Sequence, residues 1–224
     1  MVLPLGSHGS TTMYQPAHFT ETRLDVKHDL IRAHPFGLLV SVDGALPVAN
    51  AIPFALDARA SPLGVLRGHV ARANPHWQTL KAAPDALVVF QGPQTYVTPS
   101  WYQTKRDTGK AVPTWNYIMV QVRGRMRVVE DKAWLHAQVS ALTEIHESPR
   151  PEPWAVSDAP AAYMEAMLKA IVGLELEIAA IDGKWKVSQN RSRADVDGVI
   201  AGLEDEKRWE AAEIARHARE RRPD

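Results

Sequence analysis

The chain contains no cysteine. That excludes disulfides, thiolate nucleophiles and thiolate-bound metals, and it fits a reducing cytoplasm. It also lacks an excess of either charge. Lys plus Arg is 26 and Asp plus Glu is 26, a formal net charge of zero. This balance argues against broad electrostatic binding to nucleic acid or to an anionic membrane. No apolar run approaches about 18 residues, so no membrane-spanning helix is expected. The N-terminus has no signal-peptide h-region. There is no G-x-G-x-x-G after a strand, no G-x-x-x-x-G-K-[ST], no G-x-S-x-G and no H-E-x-x-H, so the chemistries those motifs support have no basis here. The nine histidines show no metal-ligand spacing. No helix-turn-helix, internal repeat or low-complexity tract stands out. The charges after Leu203 are mixed in sign, unlike a basic nucleic-acid arm.

What is present is an ordinary globular composition: 224 residues, 45% hydrophobic and 23% charged. A chain of this length buries roughly 70% of its unfolded surface, enough for a real core. The expected division is a flexible leader at residues 1–12 with Met13 a candidate start, a domain over 13–203, and a charged helical tail over 204–224. Within the domain, Gly92 to Tyr117 concentrates Tyr96, Trp101, Tyr102, Trp115 and Tyr117 among prolines and glycines. So many large rings in one connection need a reason to be fixed. They form either a rim of core packing or a wall for a flat ligand.

The remaining pattern predicts short strands joined by turns. A helix over Thr20 to Ala33, capped by Thr20, precedes strands at Phe36 to Val42, Val48 to Leu56 and Gly64 to Val70. Pro53 inside the second demands an edge, a bulge or a ligand-facing position. Asn74-Pro75 opens a helix through Lys81. Ala86 to Gly92 is a fourth strand, and Asn116 to Val129 a long one with a bulge at Gly124. Asp131 caps a helix to Glu147, a proline-rich loop surrounds Trp154, and a further helix covers Ala161 to Ile171. Leu174 to Ile181 and Lys184 to Ser188 read as a hairpin turning at Asp182-Gly183. A helix follows from Arg193. The fold class is mainly β with peripheral helices (α+β), an antiparallel barrel.

Two polar clusters could carry chemistry. Arg67 and His69 alternate on one strand face, Arg72 follows, and the helix after Asn74 points its free N–H groups back at them. That is either an anion site suited to a phosphate or an exposed arginine beside a packed histidine. Lys186, Ser188, Gln189 and Asn190 form the second cluster, a polar site or an ordinary strand end with a helix cap. Arg123, Arg125 and Arg127 alternate along a strand face and read as solvated.

MYQPAHF, VANAIPF, RGHVARANPHW, FQGPQTYVTPSWY, VPTWNY and KVSQNR occur in that order. Together they resemble the FMN-binding negative transcriptional regulators, the PaiB-like proteins, over roughly Met13 to Leu203. The resemblance implies an FMN-binding split β-barrel, a fold shared with pyridoxamine-phosphate oxidases and flavin reductases. It also implies an antiparallel homodimer with FMN between subunits. RGHVARANPHW would hold the FMN phosphate, and the strand after VPTWNY would supply contacts from the partner subunit. The implied cofactor-binding residues are His69, Arg72, Asn74, Trp115, Asn116, Tyr117, Lys186 and Gln189. DNA enters as a partner through the family label alone. The other readings are a flavin-dependent oxidoreductase acting on a small molecule and a barrel binding haem.

Overall fold

The structure, a computed structural model, describes residues 13–44 and 46–223; the leader predicted at residues 1–12 lies outside them. In chain order the elements are β1 (Thr20–Glu21), α1 (Leu24–Ala33), β2 (Phe36–Asp43), β3 (Leu46–Pro53), β4 (Ala55–Asp57), β5 (Val65–Ala71) and α2 (His76–Ala82). Then follow β6 (Asp85–Val97), α3 (Gln103–Thr108), β7 (Thr114–Val129), α4 (Lys132–Glu147), α5 (Ala161–Lys169), β8 (Ile171–Lys186), α6 (Arg193–Asp205) and α7 (Trp209–Glu220). The strands form one eight-stranded antiparallel sheet in the order β3-β2-β6-β7-β8-β5-β4, with β1 added on β8. The mainly β, α+β expectation therefore holds. The chain divides into two compact units, residues 23–92 with 119–181, and residues 13–22 with 93–118 and 182–223.

The first unit holds most of the sheet. Its strands alternate, and Leu39, Ile52, Leu66, Val88, Val120 and Leu174 are buried on the inner face. Phe54 and Phe90 meet edge-to-face there with ring centroids 6.1 Å apart. β3 and β5 lie far apart in the strand order, yet they approach one another at Gly68. A Cβ at that position would sit 3.0 Å from the Pro53 carbonyl oxygen. The sheet thus curls toward itself, as a barrel requires.

In the second unit, β1 pairs with the end of β8, Thr20 opposite Lys184 and Glu21 opposite Gly183. Trp185, Val187, Val196, Val199, Leu203 and Ile214 are buried. The tail segment forms α7, which turns Ala211, Ile214, Ala215 and Ala218 inward.

Several sequence expectations need correction. Thr20 does not cap a helix: it lies in β1, and α1 starts four residues later without a side-chain cap. Predicted strand Val48 to Leu56 is broken at Phe54, whose N–H donates to the Pro35 carbonyl, and Pro53 ends β3 at the sheet edge. β6 runs on past Gly92 to Val97. No hairpin turns at Asp182-Gly183. A two-residue turn of that type needs positive φ, and the described glycines at positive φ are Gly44, Gly64 and Gly109. Instead β8 is continuous and changes phase. Val172, Leu174, Leu176 and Ile178 are buried in its first half, Gly183, Trp185 and Val187 from Gly183 on. That one-residue slip interrupts the alternation and imitates a turn.

Gly124 is not a bulge. Val120 and Val122 before it and Met126 after it are buried in the same phase, so no residue is inserted. A Cβ there would lie 2.3 Å from the Glu177 carbonyl oxygen, so this glycine serves a close approach of β7 to β8. Gly124→Ala should therefore lower stability by about 3 kcal/mol, read as a shift in the urea midpoint. Gly109→Ala, at φ 72 with open space around the Cβ, should cost about 1 kcal/mol.

His217 on α7 generates a pH dependence. Burial first, then Arg216, pushes its imidazole down to about 4 from 6.5. Arg216 donates to its Nε2 at 3.0 Å, which requires that nitrogen to be unprotonated. The ring is neutral when folded but protonates near 6.5 when unfolded. Its contribution is complete above pH 6.5 and is lost as pH falls from there toward 4. Urea unfolding at pH 7 and pH 4.5 should show this loss, and His217→Gln should flatten it.

Candidate functional site

The first unit contains a concavity of about 380 Å³ where β3, β5 and the segment before α2 meet. Ile52, Pro53, Val70 and Ile171 give it apolar walls, and Asn50, His69 and Asn74 are its polar members. Pro75 already has helical dihedrals, φ −68° and ψ −11°. The residue before it can therefore cap the helix: Asn74 Oδ1 accepts from the His76 N–H at 3.0 Å.

His76 holds this corner in place. Asn50 Nδ2 donates to its Nδ1 at 2.9 Å, and its Nε2 meets the Ser41 hydroxyl at 2.8 Å. With Nδ1 accepting, Nε2 carries the proton and donates to Ser41. Burial lowers the pKa of His76, with Asp43 opposing weakly, so the neutral ring suits both bonds. Asn74 Nδ2 reaches Asn50 Oδ1 at 3.4 Å. His69 is oriented from the other side, its Nδ1 lying 2.8 Å from Gln138 Oε1. Gln138 is buried, and its Nε2 has no hydrogen-bond partner.

Neither neighbouring arginine joins this concavity. Arg72 sends Nε to the Lys169 carbonyl at 2.9 Å, one terminal nitrogen to the Ile171 carbonyl at 3.1 Å and the other to Glu130 at 2.7 Å. Its guanidinium ties β5 to the start of β8. Arg67 is held by Asp57 at 3.0 Å and Glu175 at 2.8 Å. A further concavity, about 530 Å³, lies between α4 and the loop of Trp154. No residue singled out for the cofactor lines it.

The aromatic stretch divides between its two readings. Trp101 packs on α6 at Gly202, where any Cβ would lie 2.3 Å from its indole, and Tyr102 is 1% exposed. These two pack inward. Trp115, 54% exposed, and Tyr96, 44% exposed, meet edge-to-face at 6.4 Å and present an open aromatic surface. Tyr117 lies beneath two ammonium groups, 5.4 Å from Lys184 and 5.9 Å from Lys186.

The second polar cluster surrounds a small cavity of about 110 Å³ in the second unit. Lys186 Nζ donates to the Thr114 hydroxyl at 2.6 Å and to the Trp115 carbonyl. Burial lowers its pKa, and the nearby cations Lys184 and Arg191 lower it further. Asn116 Nδ2 donates to the Ser188 hydroxyl at 2.9 Å. Gln189 turns back on its own backbone, accepting from the Val187 N–H at 2.8 Å and donating to the Trp185 carbonyl. It does not line the cavity.

Thus His69 and Asn74 come together in one concavity, and Asn116 and Lys186 in another. Arg72 and Gln189 serve backbone carbonyls and amides instead. Sequence reasoning missed Asn50, His76, Gln138 and Arg191, and it read Tyr102 only as one ring of the aromatic stretch. For Asn50 and His76 a signal existed, since both stand inside VANAIPF and RGHVARANPHW. Gln138 sits on a helix face with no local mark.

The family described as "Putative FMN-binding domain" matches residues 13–180. Protease synthase and sporulation protein PAI 2 of Bacillus subtilis is 32% identical, over 91% of this chain and 95% of that protein. An uncharacterized protein of Emericella nidulans is 36% identical, over 86% of this chain and 90% of its own. Among solved structures, the FAD and heme binding protein from Mycobacterium smegmatis superposes with a TM-score of 0.54 at 17% identity, over 75% of this chain and 73% of that one. This last likeness concerns the fold. A family match across most of the chain, a curated relative of nearly equal length and the curled antiparallel sheet all agree: the chain belongs to the PaiB-like family of FMN-binding split-barrel proteins.

Proposed function

We propose that this protein binds FMN at the interface of a homodimer, with the phosphate at the His69–Asn74 concavity, and that it acts as a flavin-dependent regulator of the PaiB type. The observation that carries this reading is the prebuilt corner of Asn50, His69, Asn74 and His76 beside apolar walls, inside a chain matched by the FMN-binding family. A volume of about 380 Å³ lies within the roughly 300–1,000 Å³ range of small-molecule sites. The donor set suits a phosphate as follows. In its protonated form His69 keeps Nδ1–H on Gln138 and offers Nε2–H to the anion. Asn74 fixes the helix start beside it. FMN supplies one- and two-electron redox chemistry when bound. Residues at this corner hold and orient it, and in the dimer the strand carrying Trp115 supplies its contacts from the partner subunit.

Regulation through direct electrostatic contact with DNA is disfavoured by charge. Arginines at Arg67, Arg127, Arg216 and Arg222 are each held by a carboxylate, and the net charge is zero. The regulatory signal in this reading passes through another protein or through the flavin's redox state.

FMN and riboflavin titrations test the phosphate placement. A hydrogen bond to a charged group contributes about 1.5–3 kcal/mol. His69→Ala should therefore weaken FMN about ten- to a hundredfold and leave riboflavin, which lacks the phosphate, nearly unchanged. Arg72→Ala should weaken both ligands alike, because it releases backbone at Lys169 and Ile171 rather than a ligand contact. Trp115→Ala should also cost both ligands equally. Equal losses of FMN and riboflavin in His69→Ala would remove the phosphate from this corner.

The dimer is tested separately. Light scattering at micromolar concentration should give twice the chain mass of 24.8 kDa; a monomer would sink the two-subunit site.

A further inference from the structure

We propose that the cavity formed by Tyr102, Asn116, Lys186, Ser188, Asn190 and Arg191 binds a small anion, a carboxylate or a phosphate, as a site separate from the flavin phosphate. The inference goes beyond the flavin reading and does not need it. All six residues belong to the second compact unit.

Size limits the occupant. A volume of about 110 Å³ holds several water-sized probes at roughly 10–15 Å³ each. It is well below the roughly 300 Å³ at which pockets accept drug-sized ligands. A single anionic head fits, and a three-ring flavin does not.

Charge selects the sign. Lys186 and Arg191 line the cavity, and the charges that act on Lys186 are those of Lys184 and Arg191, both cations. Lys186 spends two N–H bonds on Thr114 and Trp115, which leaves a third for a ligand. Arg191 stacks its guanidinium 5.0 Å from the Tyr102 ring centroid. Asp195 acts electrostatically on Arg191 and on Tyr102, but its two oxygens accept from the Thr104 N–H at 2.8 Å and the Thr104 hydroxyl at 2.7 Å. No carboxylate is among the described residues that line the cavity. Half-buried cations crowded together are costly unless an anion joins them.

An independent observation points the same way. The Tyr102 hydroxyl is buried, lines this cavity and makes no well-formed hydrogen bond, although Ser188 and Arg191 lie close enough to lower its pKa against the larger, opposite effect of burial. Buried hydroxyls almost always find a partner. A ligand oxygen would supply it, taking the phenolic O–H together with the spare Lys186 N–H. Asn116 and Ser188, already bonded to each other, complete the polar lining.

The test is calorimetric titration of inorganic phosphate and of acetate into the full chain, flavin-free and FMN-loaded. One saturable site weakened by Lys186→Met is expected for at least one probe with or without FMN, phosphate should show a second site, at the His69 corner, only without FMN, and the tighter probe at the Lys186 site tells a tetrahedral from a planar head. Lys186→Met should weaken it about tenfold or more, and Tyr102→Phe about two- to tenfold. The melting temperature of Tyr102→Phe, measured beside its affinity, separates a lost ligand contact from a folding defect. His69→Ala should abolish the flavin-free second site for phosphate and leave the Lys186-dependent site unchanged. Absence of saturation with both probes, or affinities insensitive to both Lys186→Met and Tyr102→Phe, would overturn the site. Loss of the Lys186-dependent site on FMN loading, or on His69→Ala, would assign the cavity to the flavin and overturn its separateness. Failure of FMN itself to bind shows only in the flavin titration and leaves the anion result standing.

Discussion

Buried polar groups must be paired, and the architecture of both polar sites follows from that demand. In water each amide or hydroxyl is satisfied at no structural cost; inside the protein an unpaired one costs about 1–3 kcal/mol. His76 meets the demand from both ring nitrogens, and in doing so fixes Asn50 and Ser41 against the start of α2. Asp195 meets it through Thr104, which anchors α3 on α6. Asn116 and Ser188 meet it with each other, between β7 and the end of β8. These pairings hold side chains in single orientations, which is what a binding site requires.

The exceptions are then informative. Among the described residues Tyr102, Gln138 and Trp185 each keep a buried polar atom without a partner. Two of them stand beside the groups proposed to receive negative charge: Tyr102 beside Lys186 and Arg191, Gln138 bonded to His69. At those two a ligand atom would complete a polar group that the protein leaves open.

Arginine shows how position decides role. Arg72, Arg67 and Arg191 all flank motifs that suggest anion binding. Arg72 is consumed by two carbonyls and Glu130, Arg67 by Asp57 and Glu175. Arg191 stacks on Tyr102 and lines a cavity. The guanidinium's five donors satisfy whichever acceptors the fold brings closest, and sequence spacing does not say which those are.

The amino-acid sequence by itself determined the fold class, the helix start at Asn74-Pro75, the Asp131 cap of α4 and the family, because these rest on local chemistry and on ordered motifs. Period-2 alternation marked most strands for the same reason: each residue's face is set by its immediate neighbours. Only the tertiary structure decided that β8 is a single strand, since its change of phase reads locally as a turn and Gly183 is held extended by β1, more than 160 residues earlier in the chain. It likewise decided that Gly124 serves a close approach, that Trp101 packs on α6 and Tyr102 is core while Trp115 and Tyr96 stay exposed, and that Arg72 turns from the concavity its neighbours line. Each of these depends on a partner far away in sequence, and the burial and pairing energies that choose between alternatives exist only once that partner is in place.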